Sequence, residues 1–306
     1  MASAPNRESA LRLWPLLAFS FLGAVSLAIW WGPLISTFAL SLSDGQYTHI
    51  LLILPISAAL IFLDWKSPAP SSGLAVGLSS ALLVVAASVS FYLRWSAVAL
   101  PSDQRLSVNM LALVVWWIAA FLLCFGTAAF RRALFPLCFL LCMVPLPDFV
   151  MDRVVILLQQ GSAAVAHFLF AVAGVPVARE GLFLFIPGLT VEVARECSSI
   201  RSSSMLLVTT MVLAQLLLRS PWRKALVIAV AIPLSVAKNG LRIFVIAMLA
   251  TRVDPSFLTG RLHHQGGIVF FLIALGAIFL LLWIVRRGDA EKPGISATAK
   301  KATGVL

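Results

Sequence analysis

The chain has 306 residues, of which 61% are hydrophobic and only 11% are charged, and its formal net charge is +11. An ordinary soluble domain is about 25% charged, so 23 basic and 12 acidic residues are too few to cover a water-soluble globule of this size. These numbers exclude a soluble enzyme. The basic residues are scattered in ones, twos and threes between apolar runs, a pattern typical of membrane topology rather than of nucleic-acid binding.

Eight apolar stretches follow one another along the chain, and one bilayer crossing takes about 20 such residues. They run roughly over 14–38, 48–63, 73–93, 106–125, 133–147, 203–218, 225–250 and 267–285. We therefore predict an all-α polytopic membrane protein with about eight transmembrane helices. The first stretch is predicted to be an uncleaved anchor, because it is too long for a signal peptide and no small-residue cleavage site stands out.

Short basic loops predict the orientation of these helices. With a cytoplasmic N-terminus, 13 of the 23 basic residues flank spans on one side, which predicts that both termini are cytoplasmic. They are Arg7, Arg12, Lys66, Arg131, Arg132, Arg219, Arg223, Lys224, Arg286, Arg287, Lys292, Lys300 and Lys301. The chain is accordingly predicted to be one integral membrane domain over 1–285, with a disordered cytoplasmic tail over 286–306.

One long connection, about 148–196, falls on the outer side of the predicted topology. Its first part is apolar but interrupted by polar residues, which favours a helix at the interface or against the bundle, with a ninth span as the alternative. In its second part TVEVA alternates, and Pro187-Gly188 lies between two strand-like runs. This pattern predicts a small β-hairpin segment on the outer face.

Ionisable and polar groups inside or at the edge of a span cost several kcal/mol, so each is a candidate for a functional site. Five places qualify, and the predicted topology brings most of them to one membrane depth near the outer face. They are His49; Glu196, Cys197 and Arg201; Asn239 with Arg242; His263; and His264.

A cysteine, a histidine and an arginine together fit nucleophilic acyl transfer. A thiolate attacks a carbonyl, a histidine protonates the leaving amine, and a guanidinium stabilises the oxyanion. A helix that starts near Ser198 would place Arg201 beneath the Cys197 thiol, and both the helix N-terminus and nearby cations favour thiolate. The alternative is structural: Arg201 and Arg242 as interhelical contacts, and the histidines as interfacial loop residues.

Other signals point to packing or to no chemistry. His49 either lines the same site or serves as an interfacial anchor beside aromatic residues. The four cysteines show neither the CxxC spacing of a metal or redox site nor a disulfide framework. HExxH and GxSxG motifs are missing from the sequence. No cofactor and no metal site is therefore predicted.

Four stretches in order resemble the exosortase and archaeosortase family of multi-pass membrane transpeptidases. They are QYTHILLILP, VPVAREGLFLFIPGLTVEVARECSSIRSS, AKNGLRIF and LHHQGGIVFF. The resemblance implies that Cys197 is the nucleophile, Arg242 the essential arginine and His263 the essential histidine, with His264 as the alternative. The sequence departs from the family pattern at Ser199 and at Ile50, where glycine is usual.

The resemblance implies a thiolate enzyme of the bacterial inner membrane, with its active site at the outer face. Its partners would be membrane lipids and exported proteins that end in a short motif such as Pro-Glu-Pro, a transmembrane helix and a basic end (PEP-CTERM proteins). It would cleave near the motif and transfer the protein to an acceptor. The rival hypothesis is a non-enzymatic transporter or assembly factor for surface polysaccharide.

Overall fold

The computed structural model describes residues 7–63, 73–96, 100–193, 200–254, 256 and 261–290. It divides into two compact units, residues 1–151 and 152–306. Nine α-helices and one small sheet make up the described part of the chain.

The first unit is organised around one long helix, α4 (Ser102–Arg132), which packs against α1 (Arg7–Ser43) and α3 (Gly73–Trp95). α4 is also the most buried of the long apolar helices. A short helix, α2 (Ile50–Leu63), and an even shorter one, α5 (Leu134–Phe139), complete the unit together with 3-10 turns at Gly45–Tyr47 and Leu140–Met143. α6 (Asp148–Val172) begins in the last residues of this unit.

Proline and glycine bend two of these helices. Trp30 leaves helical geometry (φ −106°, ψ 19°) three residues before Pro33, whose ring clashes with the preceding turn and whose nitrogen has no proton to donate. Gly126 has φ +79° inside α4, a backbone conformation that residues with a side chain rarely adopt. Trp30 is fully buried at the bend, and its indole N–H donates to the Ser90 hydroxyl at 2.8 Å, so the indole adds no unpaired donor to the apolar interior.

The prediction of an all-α polytopic protein with about eight spans is confirmed. Eight helices in the described part are long and apolar enough to cross a membrane. They include α6, for which the sequence favours an interfacial helix over a ninth span. Its 25 residues rise about 37 Å along the helix axis, which is more than the thickness of the hydrocarbon core of a bilayer.

The predicted fifth span, 133–147, forms two short helices instead of one long helix. Its 10-residue apolar part, Leu134–Met143, falls below the length of a continuous span. The stretch nevertheless leads back from the end of α4 to its beginning, where the Ser107 hydroxyl donates to the Pro145 carbonyl at 2.7 Å and the Asp148 N–H donates to the Asp103 carboxylate at 2.9 Å.

The second unit contains most of α6, the sheet and the last three helices. The sheet has the order β1-β2-β3 and is antiparallel throughout, with β1 at Ala178–Glu180, β2 at Phe183–Ile186 and β3 at Leu189–Glu192. The predicted hairpin around Pro187-Gly188 is β2 and β3, and Gly188 supplies the positive φ (+80°) of its turn. α7 (Ile200–Leu217), α8 (Pro221–Arg252) and α9 (Arg261–Ala290) follow the sheet.

Two apolar clusters share α8. Its N-terminal half packs with α7 and α9, where Ala231, Leu206 and Ile278 are almost completely buried. Its C-terminal half packs with α6 and one face of the sheet, where Ala247, Phe170 and Leu184 are buried. α8 is therefore the helix against which the other elements of this unit are arranged.

Candidate functional site

The candidate nucleophile lies in a segment that the structure does not describe. Cys197 and Glu196 fall within 194–199, outside the described residues. This segment connects the end of the sheet at Val193 to the start of α7 at Ile200. The described residues at its two ends therefore define where the cysteine can lie.

The upstream end of the cysteine segment is held by α6. The amide of Gln159 donates a 2.7 Å hydrogen bond to the backbone carbonyl of Val193, and both residues are buried. The N–H of Val193 donates to the carbonyl of Leu182 at 3.0 Å, which extends the β2–β3 ladder by one more pair. Because both backbone groups of Val193 are bonded, the position of the residue that precedes the cysteine segment is fixed by the sheet and by α6.

The downstream end is held by α8. The ammonium of Lys238 donates a hydrogen bond to the hydroxyl of Ser202, and the hydroxyl of Ser235 donates to that of Ser203. Ser202 and Ser203 lie in the first turn of α7, and Lys238 is only 5% exposed. Lys238 is thus a buried cation that fixes the start of α7 at Ser202, three residues beyond the cysteine segment.

Arg242 lies one turn beyond Lys238 on α8, about 6 Å further along the helix axis. It is half-buried, and residues four apart share a face of a helix, so the two cations lie one above the other. By contrast, Arg201 is exposed near the start of α7. Lys238 thus bonds the first turn of α7, and Arg242 lies on the same face of α8 one turn further along.

Asn239 lies toward α6 instead. It is 1% exposed, and its amide donates to the hydroxyl of Ser162 at 2.9 Å, which in turn donates to the carbonyl of Leu158 at 2.7 Å. This chain of hydrogen bonds satisfies two buried polar side chains in an apolar setting. Asn239 therefore has a visible role in joining α8 to α6.

Two glycines allow α6 and α8 to approach each other this closely. A Cβ added at Gly240 would lie 2.5 Å from the Cβ of Val165 and 3.0 Å from the carbonyl oxygen of Ser162. A Cβ added at Gly161 would lie 2.8 Å from a γ-carbon of Val236. Real carbon atoms stay about 3.5–4.0 Å apart, so this crossing requires small residues.

The two candidate histidines lie in the first turn of α9, which begins at Arg261. Their side chains are outside what the structure describes, so His263 and His264 remain alternatives. The connection from α8 begins at Asp254, whose carboxylate accepts a 2.8 Å hydrogen bond from the N–H of Ser256. That bond holds the pKa of Asp254 below its usual range, so it carries a negative charge at neutral pH.

His49 belongs to the first unit. It lies directly before α2, and its Nδ1 is 3.2 Å from the carbonyl oxygen of Gln46. The preceding 3-10 turn is capped by Asp44, whose carboxylate accepts from the Gln46 N–H at 2.9 Å. These local contacts fix the position of His49, and its two interpretations, site residue or interfacial anchor, remain predictions.

Lys238 and Gln159 are the residues that the sequence interpretation missed as parts of the site. Lys238 satisfies the same criterion that selected Arg242, an ionisable group inside a span, and the quoted stretch AKNGLRIF contains it. Gln159 offered only a weak signal, a polar residue in an apolar run. Among the described residues, no group of three or more His, Cys, Asp or Glu side chains is placed to hold a metal ion.

The fold and these contacts define a polytopic membrane protein whose second unit has a buried polar centre, formed among the described residues by Gln159, Lys238, Asn239 and their hydrogen-bond partners. The model of the transmembrane exosortase family matches residues 30–280. The chain therefore belongs to the transmembrane exosortase family, which confirms the resemblance and assigns it to the membrane sorting transpeptidases as a class. No curated protein and no solved structure matches the chain.

Proposed function

We propose that this chain is a cysteine transpeptidase that cleaves the C-terminal sorting signals of exported proteins. Cys197 is its nucleophile, Arg242 its oxyanion-stabilising cation and His263 its general acid. The observation that carries the proposal is the family match, since residues 30–280 include all three positions.

The reaction follows from these three side chains. The Cys197 thiolate attacks the scissile carbonyl carbon and forms a C–S bond, while the carbonyl oxygen becomes an oxyanion that Arg242 stabilises. The oxyanion then collapses and the C–N bond breaks, and the leaving amine takes a proton from His263. An acceptor nucleophile attacks the resulting thioester, loses its proton to the histidine and releases the thiolate.

The second unit supports this assignment through α8. Lys238 bonds the first turn of α7, and Arg242 follows one helical turn later. Cys197 is only three residues before Ile200, the first residue of α7. A cation on the face of α8 that carries the α7 contact is therefore well placed to act on a carbonyl held at Cys197.

The remaining site residues are given supporting roles. His264 is the alternative general acid, and Arg201 and Glu196 flank the nucleophile and modulate its charge. Asn239 positions α8 through Ser162, a contact that the structure contains. His49 is assigned to anchoring rather than to chemistry.

The proposed location is the bacterial inner membrane, with both termini in the cytoplasm and the cysteine at the outer face. The substrates are exported proteins that carry a motif of the Pro-Glu-Pro kind before a C-terminal transmembrane helix and a basic end. Such a helix would approach through the lipid, which places the motif at the outer interface beside the cysteine. The chain is proposed to be one membrane domain over 1–285 with a cytoplasmic tail over 286–306.

Co-expression with a sorting-signal reporter tests the mechanism. Wild-type protein should convert the reporter to a shorter form, and Cys197→Ala should leave it at full length. Cys142→Ala is the matched control, because Cys142 is a partly buried thiol of the first unit. Processing by Cys197→Ala at the wild-type level would refute the thiolate mechanism, and equal processing in cells that lack the protein would favour the rival hypothesis of a transporter or assembly factor.

A further inference from the structure

β3 is an edge strand. The sheet has the order β1-β2-β3, so β2 is paired on both sides and β3 is paired only with β2 among the described strands. An edge strand presents backbone donors and acceptors that a further strand can bond. In this protein the edge strand is also the last element before the cysteine segment.

The pairing pattern shows which groups of β3 face that edge. Val193 bonds to β2 through its N–H, which reaches the carbonyl of Leu182. Bonded positions alternate in an antiparallel ladder, so Leu189 and Val191 face β2 in the same way. Thr190 and Glu192 therefore direct their N–H and C=O groups away from β2, toward the outer edge.

The side chains along this edge leave room for a partner. Thr190 and Glu192 are exposed, whereas Leu189 and Val191 are half-buried on the face toward α6 and α8. Phe244 and Met248 of α8 border the same apolar cluster as Leu189 and Val191. β3 is thus fixed on one face by an apolar cluster and leaves its outward backbone groups available for a further strand.

The position of the edge identifies the occupant. Cys197 follows Val193 by four residues, which span at most about 14 Å when fully extended. A polypeptide paired with β3 would therefore present a backbone carbonyl within reach of the cysteine. A lipid or a sugar has no backbone amides with which to use this ladder, so the edge fits a polypeptide.

We propose that the free edge of β3 binds the extended segment of the substrate polypeptide beside its scissile bond, by adding it to the sheet as a fourth strand. Backbone hydrogen bonds to Thr190 and Glu192 supply affinity that depends little on the sequence of the bound segment. The proposal rests on the proposed function, because it takes Cys197 as the nucleophile.

Proline substitution tests the backbone contact. Glu192→Pro removes the outward N–H, and Glu192→Ala is its reference because it removes the same side chain and keeps the N–H. Relative to Glu192→Ala, Glu192→Pro should raise the KM for a sorting-signal reporter roughly three- to tenfold, the effect of about one hydrogen bond. Arg179 is the outward position of β1, the opposite edge strand, and the ratio of the KM of Arg179→Pro to that of Arg179→Ala should be near one.

Cross-linking tests the same contact in folded protein without proline. Single cysteines at Thr190 or at Ala178 are introduced into Cys197→Ala protein in which the other cysteines are replaced by alanine. A reporter with cysteines scanned through its signal should form disulfides with Thr190→Cys at every second reporter position. Ala178 is the matched control, since it is exposed on the opposite edge strand.

The outcomes separate this proposal from the proposed function. If Cys197→Ala abolishes processing but the proline-to-alanine ratios at Glu192 and Arg179 are equal, strand addition is wrong and the cysteine mechanism stands. Disulfides that form equally from Ala178 and Thr190, or none from Thr190, would also overturn it. Cross-links with a period of two from Thr190 alone support it, whatever the activity of Cys197→Ala.

Discussion

Gly240→Ala tests whether the close crossing of α6 and α8 holds the candidate site together. The new methyl group would lie 2.5 Å from the Cβ of Val165 and 2.6 Å from its Cγ1. Restoring ordinary contact of about 3.5–4.0 Å requires the helices to separate by roughly 1 Å. The same movement would stretch the 2.9 Å hydrogen bond between Asn239 and Ser162 beyond bonding distance.

The expected loss of stability follows from three contributions. Overpacking costs about 1–3 kcal/mol, and the interhelical hydrogen bond contributes about 0.6 kcal/mol in a membrane protein. Alanine regains about 0.5–1 kcal/mol of helix propensity over glycine. We therefore expect Gly240→Ala to lower the free energy of unfolding by about 1–3 kcal/mol.

Thermal unfolding in detergent, followed by size-exclusion chromatography, measures this change. The matched control is Gly276→Ala in α9, because a Cβ there meets no atom within 4 Å, and it should be neutral or slightly stabilising. Adding Val165→Gly to Gly240→Ala should restore part of the loss. If Gly240→Ala unfolds at the same temperature as Gly276→Ala, the close crossing is absent and the reasoning is wrong.

Two further contacts around the cysteine segment can be tested. Ser202→Ala should destabilise the protein more when Lys238 is present than in Lys238→Met, because the alanine removes the hydroxyl that accepts from a buried ammonium. A double-mutant unfolding cycle should give a coupling energy of about 1 kcal/mol. Additive effects of the two substitutions would contradict the contact. Gln159→Leu should reduce reporter processing more than Gln160→Leu. Only the Gln159 side chain bonds the Val193 carbonyl, whereas Gln160 is exposed. Equal processing by the two variants would show that this bond does not position the cysteine.

The long helices and the hairpin could be predicted because their signals are local. Apolar runs of bilayer length gave the count of about eight spans, and Pro187-Gly188 between two alternating runs gave the turn between β2 and β3. The stretch 133–147 shows the limit of that reasoning. Its apolar content is that of a span, but how a short apolar stretch divides into helices depends on tertiary packing, which no periodicity reports.

The polar centre was only partly predictable, for a reason that Lys238 and Asn239 illustrate. They are adjacent in sequence, yet Lys238 bonds α7 and Asn239 bonds α6. Successive residues on a helix point about 100° apart, so which neighbour each one meets depends on the packing of three helices. The sequence identifies such residues as expensive in a membrane but does not reveal their partners.

These contacts explain why α8 can position so many residues of the candidate site. α8 meets α6 through glycines and an amide, and α6 holds the sheet that leads into the cysteine segment. α8 meets α7 through a buried cation, and α7 begins where that segment ends. Displacing a reacting group by about 1 Å can lower a rate by two orders of magnitude. In the proposed mechanism, contacts that fix α8 against both neighbours therefore constrain the distance from Arg242 to the carbonyl that Cys197 attacks.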